Sequence, residues 1–426
     1  MSKPYMTGCV TGPVNGEVIP PGSKSITNRA LLCAAIANGT STLQGALNCE
    51  DTQIMVNSLR QLGLQVIWDH QKNVIDVHGT GNAFPELQAD LHVGNSGTTM
   101  RFLTAVLSSM SGRYSLDGVD RMRQRPIGDL TVALNQLGAT VQCAANGCPP
   151  VQINAGGFRS KTTTIAGDLS SQYLSGILIA ATNASHQITV EIQNHLVSKP
   201  YIDLTLSVLQ SFGVTIEHSN YKTFVVPQGE SVKPITYQIE PDASAASYFF
   251  ATAAITGGAV TVHGLTRNAL QGDIQFCDCL AQMGCEVQYL EHSTRVTGAP
   301  LSGIEVDMNA ISDTVQTLAV VSLFAEGPTT ISNIRHIREK ETDRISDLAT
   351  ELRRLGARVE ETVDSLTIHP GIYRGDSIET YDDHRMAMSF ALAGLRIPGV
   401  QILNPHCCRK TYPNFFNDLE TLISGV

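Results

Sequence analysis

One short pattern recurs along this chain and limits what it can fold into. Leu-x-x-apolar-Gly-x-x-Val/Ile is read at LRQLGLQV (59–66), LNQLGATV (134–141), LQSFGVTI (209–216), LAQMGCEV (280–287) and LRRLGARV (352–359). Its glycines, Gly63, Gly138, Gly213, Gly284 and Gly356, are spaced by 75, 75, 71 and 72 residues. A degenerate copy, LETLISG (419–425), places Gly425 another 69 on. The pattern predicts an amphipathic helix stopped by a glycine in the left-handed cap position, followed by a strand.

A second series interleaves with the first. Polar, small-residue loops lead into Ala/Leu-rich helices at GSKS (22–25), GNSGTT (94–99), DLSSQ (168–172), PDASAAS (241–247), ISDT (311–314) and YDDHR (381–385). Measured between Lys24, Gly97, Ser171, Ser244, Asp313 and His384, the steps are 73, 74, 73, 69 and 71. One sixth of 426 is 71, so six units use up the chain. With two helices and short β-branched runs per unit, such as VTVHG (260–264) and TTIS (329–332), the reading is an α/β fold of six βαβαββ repeats. Such a length exceeds what one core usually supports, which favours two globes of three units. Turn-rich segments at 12–22 and 228–242 mark the division, and ligands are expected in the cleft between the globes.

Composition narrows the function. Hydrophobic residues at 42% and charged residues at 16% suit a large core and exclude a disordered chain. No apolar run approaches the roughly 18 residues of a membrane span, and MSKPYMTGCV lacks a basic-then-apolar leader. The ten cysteines are scattered without a CxxC pair, so the expectation is reduced thiols in a cytoplasmic protein with no zinc site. A net charge of −10 and a single Trp argue against nucleic-acid binding. Any anion site must therefore concentrate Lys and Arg locally.

The loops do so. DRMRQRPIGD (120–129), LVSKPYID (196–203), RNALQGD (267–273), RHIREKETDR (335–344) and HCCRKTYP (406–413) are basic, and the other series carries Lys24, Arg29, Arg101 and Arg385. Strand-to-helix turns offer free backbone N–H groups and the positive end of the helix dipole, so cations there favour bound phosphates or carboxylates. A Lys24 in the first turn of a helix is unfavourable unless an anion sits with it. KETDR (340–344), read as helix, puts Lys340 and Arg344 on one face. Among these cations the acidic candidates are Asp313, Glu341 and Asp383, carboxylates ready to accept a proton. Asp203 and Asp273 fit helix caps, and His384 reads equally as a structural residue or a proton carrier. GNSGTTMR (94–101) is a Gly-rich turn without Walker spacing.

Taken in order, PGSKSITNRAL (21–31), GNSGTTMRFL (94–103), RQRPIGDL (123–130), SSQYLSG (170–176), LVSKPYIDLT (196–205), DASAASY (242–248), KETDRI (340–345), YDDHRMAM (381–388) and RKTYPNF (409–415) resemble the 5-enolpyruvylshikimate-3-phosphate synthase family of enolpyruvyl transferases. The resemblance runs the length of the chain. It implies an inside-out α/β barrel fold with pseudo-sixfold repeats: an inserted domain, 22–239, within a discontinuous one, 1–21 and 240–426. It further implies enolpyruvyl transfer from phosphoenolpyruvate to the 5-hydroxyl of shikimate 3-phosphate. Shikimate 3-phosphate would be held by Ser25 and Arg29 at its carboxylate. Ser170, Ser171, Ser198 and Lys340 would surround its phosphate and hydroxyls, with Gln172 and Tyr201 bordering the ring and His336 near the phosphate. Phosphoenolpyruvate would be held by Lys24, Arg125, Arg344, Arg385 and Lys410, with Asn95, Gly97, Thr98, Gln172 and His384 around it. Asp313 would act as base on the hydroxyl, Glu341 as proton shuttle at the methyl carbon, and Lys24 would stabilise the departing phosphate. No metal or cofactor is implied, and a monomer with no nucleic-acid or membrane partner is expected.

Two positions depart from the family. His336 stands where members often have Asn, and Phe102 where many have Pro, behind the loop at which the family's inhibitor glyphosate mimics phosphoenolpyruvate. The sister enzyme acting on UDP-N-acetylglucosamine carries a reactive Cys before its Arg-Pro, and residues 111–130 contain none. A non-catalytic phospholigand sensor is disfavoured by the retained Lys24, Asp313, Glu341, Arg344 and Lys410. An RNA-end-processing enzyme is disfavoured by the net charge.

Overall fold

The computed structural model describes residues 3–424, and the degenerate glycine, Gly425, lies outside the described residues. The other five pattern glycines end helices Glu50–Gln61, Gly128–Gln136, Pro200–Ser211, Phe276–Gln282 and Ser346–Arg354. All have positive φ, between +88° and +113°. At the first, Gly63 N–H donates to the Arg60 carbonyl at 3.0 Å and Leu64 N–H to that of Leu59 at 3.1 Å. The same two bonds close the other four helices, which is the Schellman motif five times over. The Leu that opens each pattern therefore supplies the carbonyl for the longer bond. Its side chain (Leu59, Leu134, Leu209, Leu280 or Leu352) is buried.

The polar loops open the other helices: Lys24–Ile36, Gly97–Ser108, Ser171–Ala181, Ala243–Thr256, Val315–Val321 and His384–Ala393. Ser23, Ser96, Ser170, Asp242 and Asp383 each cap one by accepting a backbone N–H. The Gly97–Ser108 and Ala243–Thr256 helices are buried along their whole length. That is why these segments show little apolar periodicity, whereas the Ser346–Arg354 helix buries mainly one face.

The strands complete the repeat. Gln88–His92 runs parallel to Ser111–Asp117, which is antiparallel to Val151–Gly156, itself antiparallel to Thr140–Gln142. With the two intervening helices this is one βαβαββ unit, and the sheet containing Thr162–Ile165 has the same order. The first and fourth units each take a strand from elsewhere in the chain. Thr236–Gln238 lies parallel to Asn38–Gln44, and Asn15–Val18 lies parallel to Ala259–His263. Tyr5–Met6 completes the last sheet, antiparallel to Gln401–Ile402. The chain divides into two compact units: Met1–Pro21 with Glu240–Val426, called the outer unit because its sequence flanks the other, and Gly22–Ile239, the inner unit.

Three local expectations are corrected. KETDR is not helical. It forms a turn between the 3-10 segment Arg335–Glu339 and the Ser346–Arg354 helix, because the Asp343 carboxylate accepts the N–H groups of Ile345 and Ser346 and pairs with Arg338. Asp203 is not a cap. It sits in the first turn of a helix capped by Lys199 and accepts the Tyr221 hydroxyl at 2.7 Å. Asp273 lies inside a 3-10 turn whose cap is Gln271, and accepts that residue's amide at 3.1 Å.

Eight of the ten cysteines are buried, Cys143 is intermediate and Cys9 is exposed. No described helix is long and apolar enough to cross a membrane. A Cβ on Gly356 would meet the Ile372 carbonyl at 2.9 Å with φ at +101°. Gly356→Ala is therefore expected to lower stability by about 1–2 kcal/mol, the ordinary cost of left-handed backbone, read as an earlier urea-unfolding midpoint of the full-length chain.

Candidate active site

In the outer unit, four turns bring charges together. The turn before Ser346 supplies Lys340, Glu341 and Arg344. The 3-10 turn Ser312–Thr314 supplies Asp313, the N-terminus of His384–Ala393 supplies Asp383 and Arg385, and the 3-10 segment Pro405–Lys410 supplies Lys410. Arg344, only 2% exposed, sits at the centre. Its Nε donates to Asp383 at 2.7 Å and its Nη2 to Asp383 at 3.2 Å and to Glu341 at 2.9 Å. Its Nη1 donates to Asp313 at 3.3 Å. Lys410 Nζ lies 2.8 Å from the other Glu341 oxygen, and Arg385 Nη2 2.7 Å from the other Asp313 oxygen. These carboxylates more than offset the burial of Arg344 and raise its pKa. Lys340, a quarter exposed, lies 3.9 Å from Asp313 at the edge of this network. Breaking a buried pair such as Arg344–Asp383 costs about 3–5 kcal/mol.

Asp383 is fully buried and does two jobs. It holds Arg344 and caps its helix through the Arg385 N–H at 2.8 Å. The turn before it contains consecutive left-handed residues, Tyr381 and Asp382. That turn is tied down by buried Glu351, which accepts the Tyr381 hydroxyl at 2.8 Å and the Glu379 N–H at 3.1 Å. His384 is buried beside Asp383, with Nδ1 3.7 Å from its carboxylate. His336 is also buried, and burial followed by the Lys340 charge pushes its pKa down to about 3, against the weaker pull of Asp313 and Asp307. It is thus a neutral imidazole that both donates and accepts.

In the inner unit, Arg29 is nearly enclosed. It donates to Thr205 Oγ1 at 2.7 Å, to the Ser25 carbonyl at 3.0 Å, to the Tyr201 carbonyl at 3.1 Å and to Ser175 Oγ at 3.3 Å. All four acceptors are neutral, and burial lowers its pKa to about 10. The guanidinium carbon also lies 5.2 Å from the centre of the Phe102 ring. Phe102 is thus buried beside Arg29, on the helix that begins at Gly97.

A second inner group surrounds that helix start. Arg125 donates to the Asn95 carbonyl at 3.1 Å and side chain at 3.2 Å. A Cβ on Gly97 would fall 2.6 Å from Arg125 Nη2 and from Arg101 Nη1, so the glycine leaves room for both guanidiniums. Gln172 is held between Arg101 Nη1 at 2.8 Å and Thr98 Oγ1 at 3.3 Å, and its N–H donates to Ser170 Oγ. Ser171 begins that helix. Ser198 is left-handed at φ +53°, strain of the kind that concentrates at functional sites. Lys24, in the first helical turn, lies 3.5 Å from Asp51.

The structure therefore joins Asp313, Lys340, Glu341, Arg344, Arg385 and Lys410 in one network, with His384 alongside. It joins Asn95, Gly97, Thr98, Arg125 and Gln172 in another, and Ser25, Arg29 and Tyr201 in a third. Sequence reasoning did not single out Asp51, Ser175 or Thr205, or a supporting role for Glu351. Ser175 and Thr205 lie 146 and 176 residues from the arginine they hold, beyond any local pattern.

Comparison with known proteins gives the family. Residues 10–419 match the family described as EPSP synthase (3-phosphoshikimate 1-carboxyvinyltransferase). A 3-phosphoshikimate 1-carboxyvinyltransferase of Nostoc punctiforme is 46% identical, with 95% of each chain covered. That of Vibrio atlanticus is 45% identical, covering 96% of this chain and 97% of its own. The solved EPSP synthase of Acinetobacter baumannii superposes with a TM-score of 0.82 at 26% identity, covering 99% of this chain and 98% of that one. The enolpyruvyl transferase NikO of Streptomyces tendae, at 20% identity, shares the fold with a TM-score of 0.79, covering 98% of this chain and 96% of its own. The matched family and relatives are transferases, and so is this chain. Among such enzymes, the chain belongs to the EPSP synthase family.

The neutral His336 has a consequence for acid stability. Between the unfolded pKa near 6.5 and the folded value of about 3, the unfolded chain binds a proton that the folded chain refuses. Stability at this residue is therefore whole above 6.5 and falls as pH drops. His336→Asn is expected to lose about 2 kcal/mol less than the parent between about pH 7.5 and about pH 5, by urea titration at each pH.

Proposed function

We propose that the chain transfers the enolpyruvyl group of phosphoenolpyruvate to the 5-hydroxyl of shikimate 3-phosphate, releasing phosphate. The observation that carries this reading is the network in which Asp313 and Glu341, the two carboxylates assigned to proton transfer, are paired with the cations assigned to phosphoenolpyruvate.

On this reading the hydroxyl adds to C2 of the enol while C3 takes a proton, giving a ketal phosphate. That intermediate then loses phosphate and a C3 proton, restoring the enol. Asp313 accepts the hydroxyl proton. Glu341 gives a proton to C3 and later takes one back, work that suits a group able to act in both directions. Arg344, Arg385 and Lys410 of the outer unit and Lys24 and Arg125 of the inner one bind the phosphoenolpyruvate anions and stabilise charge as the phosphate leaves. Asn95, Gly97, Thr98, Gln172 and His384 border that ligand. Arg29, a buried cation whose four acceptors are neutral, takes the shikimate carboxylate together with Ser25. Ser170, Ser171, Ser198, Lys340 and neutral His336 take the phosphate and hydroxyls, beside Tyr201. A neutral imidazole offers one donor and one acceptor, as the Asn of other members would.

In the free enzyme Glu341 and Asp313 occupy guanidinium and ammonium groups that the substrate anions also seek. An incoming carboxylate or phosphate displaces them, and a carboxylate parted from its cation binds protons more readily. Ligand binding thus frees the acid–base groups when they are needed. The same reading makes the protein a cytoplasmic monomer acting on small molecules without a cofactor, in keeping with ten unpaired cysteines and a net charge of −10.

Phosphate release from phosphoenolpyruvate, followed by a coupled assay, is expected only when shikimate 3-phosphate is added, and neither UDP-N-acetylglucosamine nor RNA ends substitute. Release without it sinks the reading. Asp313→Ala is expected to cut kcat by about 10²–10⁴ while changing substrate dissociation constants little. Glu341→Gln should lower kcat comparably yet bind phosphoenolpyruvate severalfold more tightly, by titration calorimetry. Weaker binding shows instead that the carboxylate does not compete for the cations.

A further inference from the structure

Apart from these networks, the outer unit contains a groove of about 590 Å³ between its N-terminal strand and the 405–420 segment. Its volume lies in the range of small-molecule sites. The apolar wall consists of Tyr5 and Phe416, with ring centres 4.1 Å apart, and Met6, which is 57% exposed. Prolines 4, 405 and 413 add lining that offers no N–H and little freedom to collapse.

The rim is basic. Lys3, His406 and Arg409 border the groove and are exposed, and none of the three makes an ion pair with a carboxylate among the described residues. The groove also holds one carboxylate, Glu420, exposed and close enough to add to burial in raising the pKa of the Tyr5 hydroxyl. In a chain of net charge −10, two unpaired cations and an imidazole over an aromatic floor form a local positive site.

We infer that this groove binds a small ring-bearing carboxylate. The ring lies against Tyr5, Phe416 and Met6, and the carboxylate is taken by Arg409 and Lys3, with His406 donating a ring N–H. Arg suits the planar, two-oxygen geometry of a carboxylate, and the apolar wall supplies contact area that an inorganic anion cannot use.

The test uses the full-length chain labelled at its methionine methyls, with the Met6 resonance assigned through Met6→Leu. Benzoate is the probe, benzamide its uncharged counterpart, and inorganic phosphate the anion without a ring. Benzoate is expected to shift Met6 saturably. Benzamide and phosphate should each bind at least about fivefold more weakly, charge and ring each contributing. The Lys3→Gln/Arg409→Gln pair, both residues exposed, should weaken benzoate by at least the same factor while the other methionine signals stay in place and report an intact fold. An unmoved Met6, equal binding of benzamide or phosphate, or equal binding by the double variant overturns the inference.

Discussion

The buried Arg344 guanidinium orders the outer unit's chemistry. A cation with 2% exposure needs partners that replace its lost hydration, and this one has three carboxylates: Asp383, Glu341 and Asp313. Each comes from a different turn, so the arginine fixes three loops at once. Glu341 and Asp313 pass the constraint on to Lys410 and Arg385, bringing a fourth turn into register. The inner unit handles the same problem differently. Arg29 is stabilised by neutral oxygens and the face of Phe102, with no carboxylate paired to it among the described residues. One network is closed upon itself and the other has charge to spare, a division that suits a reaction in which some groups move protons and others hold anions.

Much of the architecture was legible because it is written locally. A leucine, three residues, a glycine and the residue after it contain every donor and acceptor of the Schellman closure, so the repeat could be read without knowing any tertiary contact. Ser and Asp caps are equally local. What escaped was non-local or depended on competition. KETDR has helical spacing, but Asp343 takes the N–H groups that would have propagated a helix toward it. The strands Asn15–Val18 and Thr236–Gln238 are short and mostly polar, and nothing in NGEV or TYQ says which sheet will accept them.

The candidate site was legible in its cations, since basic residues at strand-to-helix turns of an acidic protein stand out. Their supports were not. Ser175 and Thr205 look like ordinary helical residues until Arg29 is seen to reach them, and Glu351 reads as one more charge on an amphipathic helix although it anchors the Tyr381 turn. His336 had a visible position, but only its burial beside Lys340 explains why it is uncharged.

The sheet that receives Asn15–Val18 sets a timetable for synthesis. Its neighbour, Ala259–His263, is some 244 residues further along the chain. At about 5–20 residues per second, a ribosome takes roughly 12–50 s to deliver it. Throughout that interval the whole of 22–239 emerges, including the strand that completes its own first sheet, so that unit has what it needs to collapse first. The waiting strand is an open edge, the kind of segment that recruits other nascent chains. Its residues are Asn, Gly, Glu and Val. With one apolar side chain in four and a negative charge, it is a poor template for aggregation while it waits for its partner.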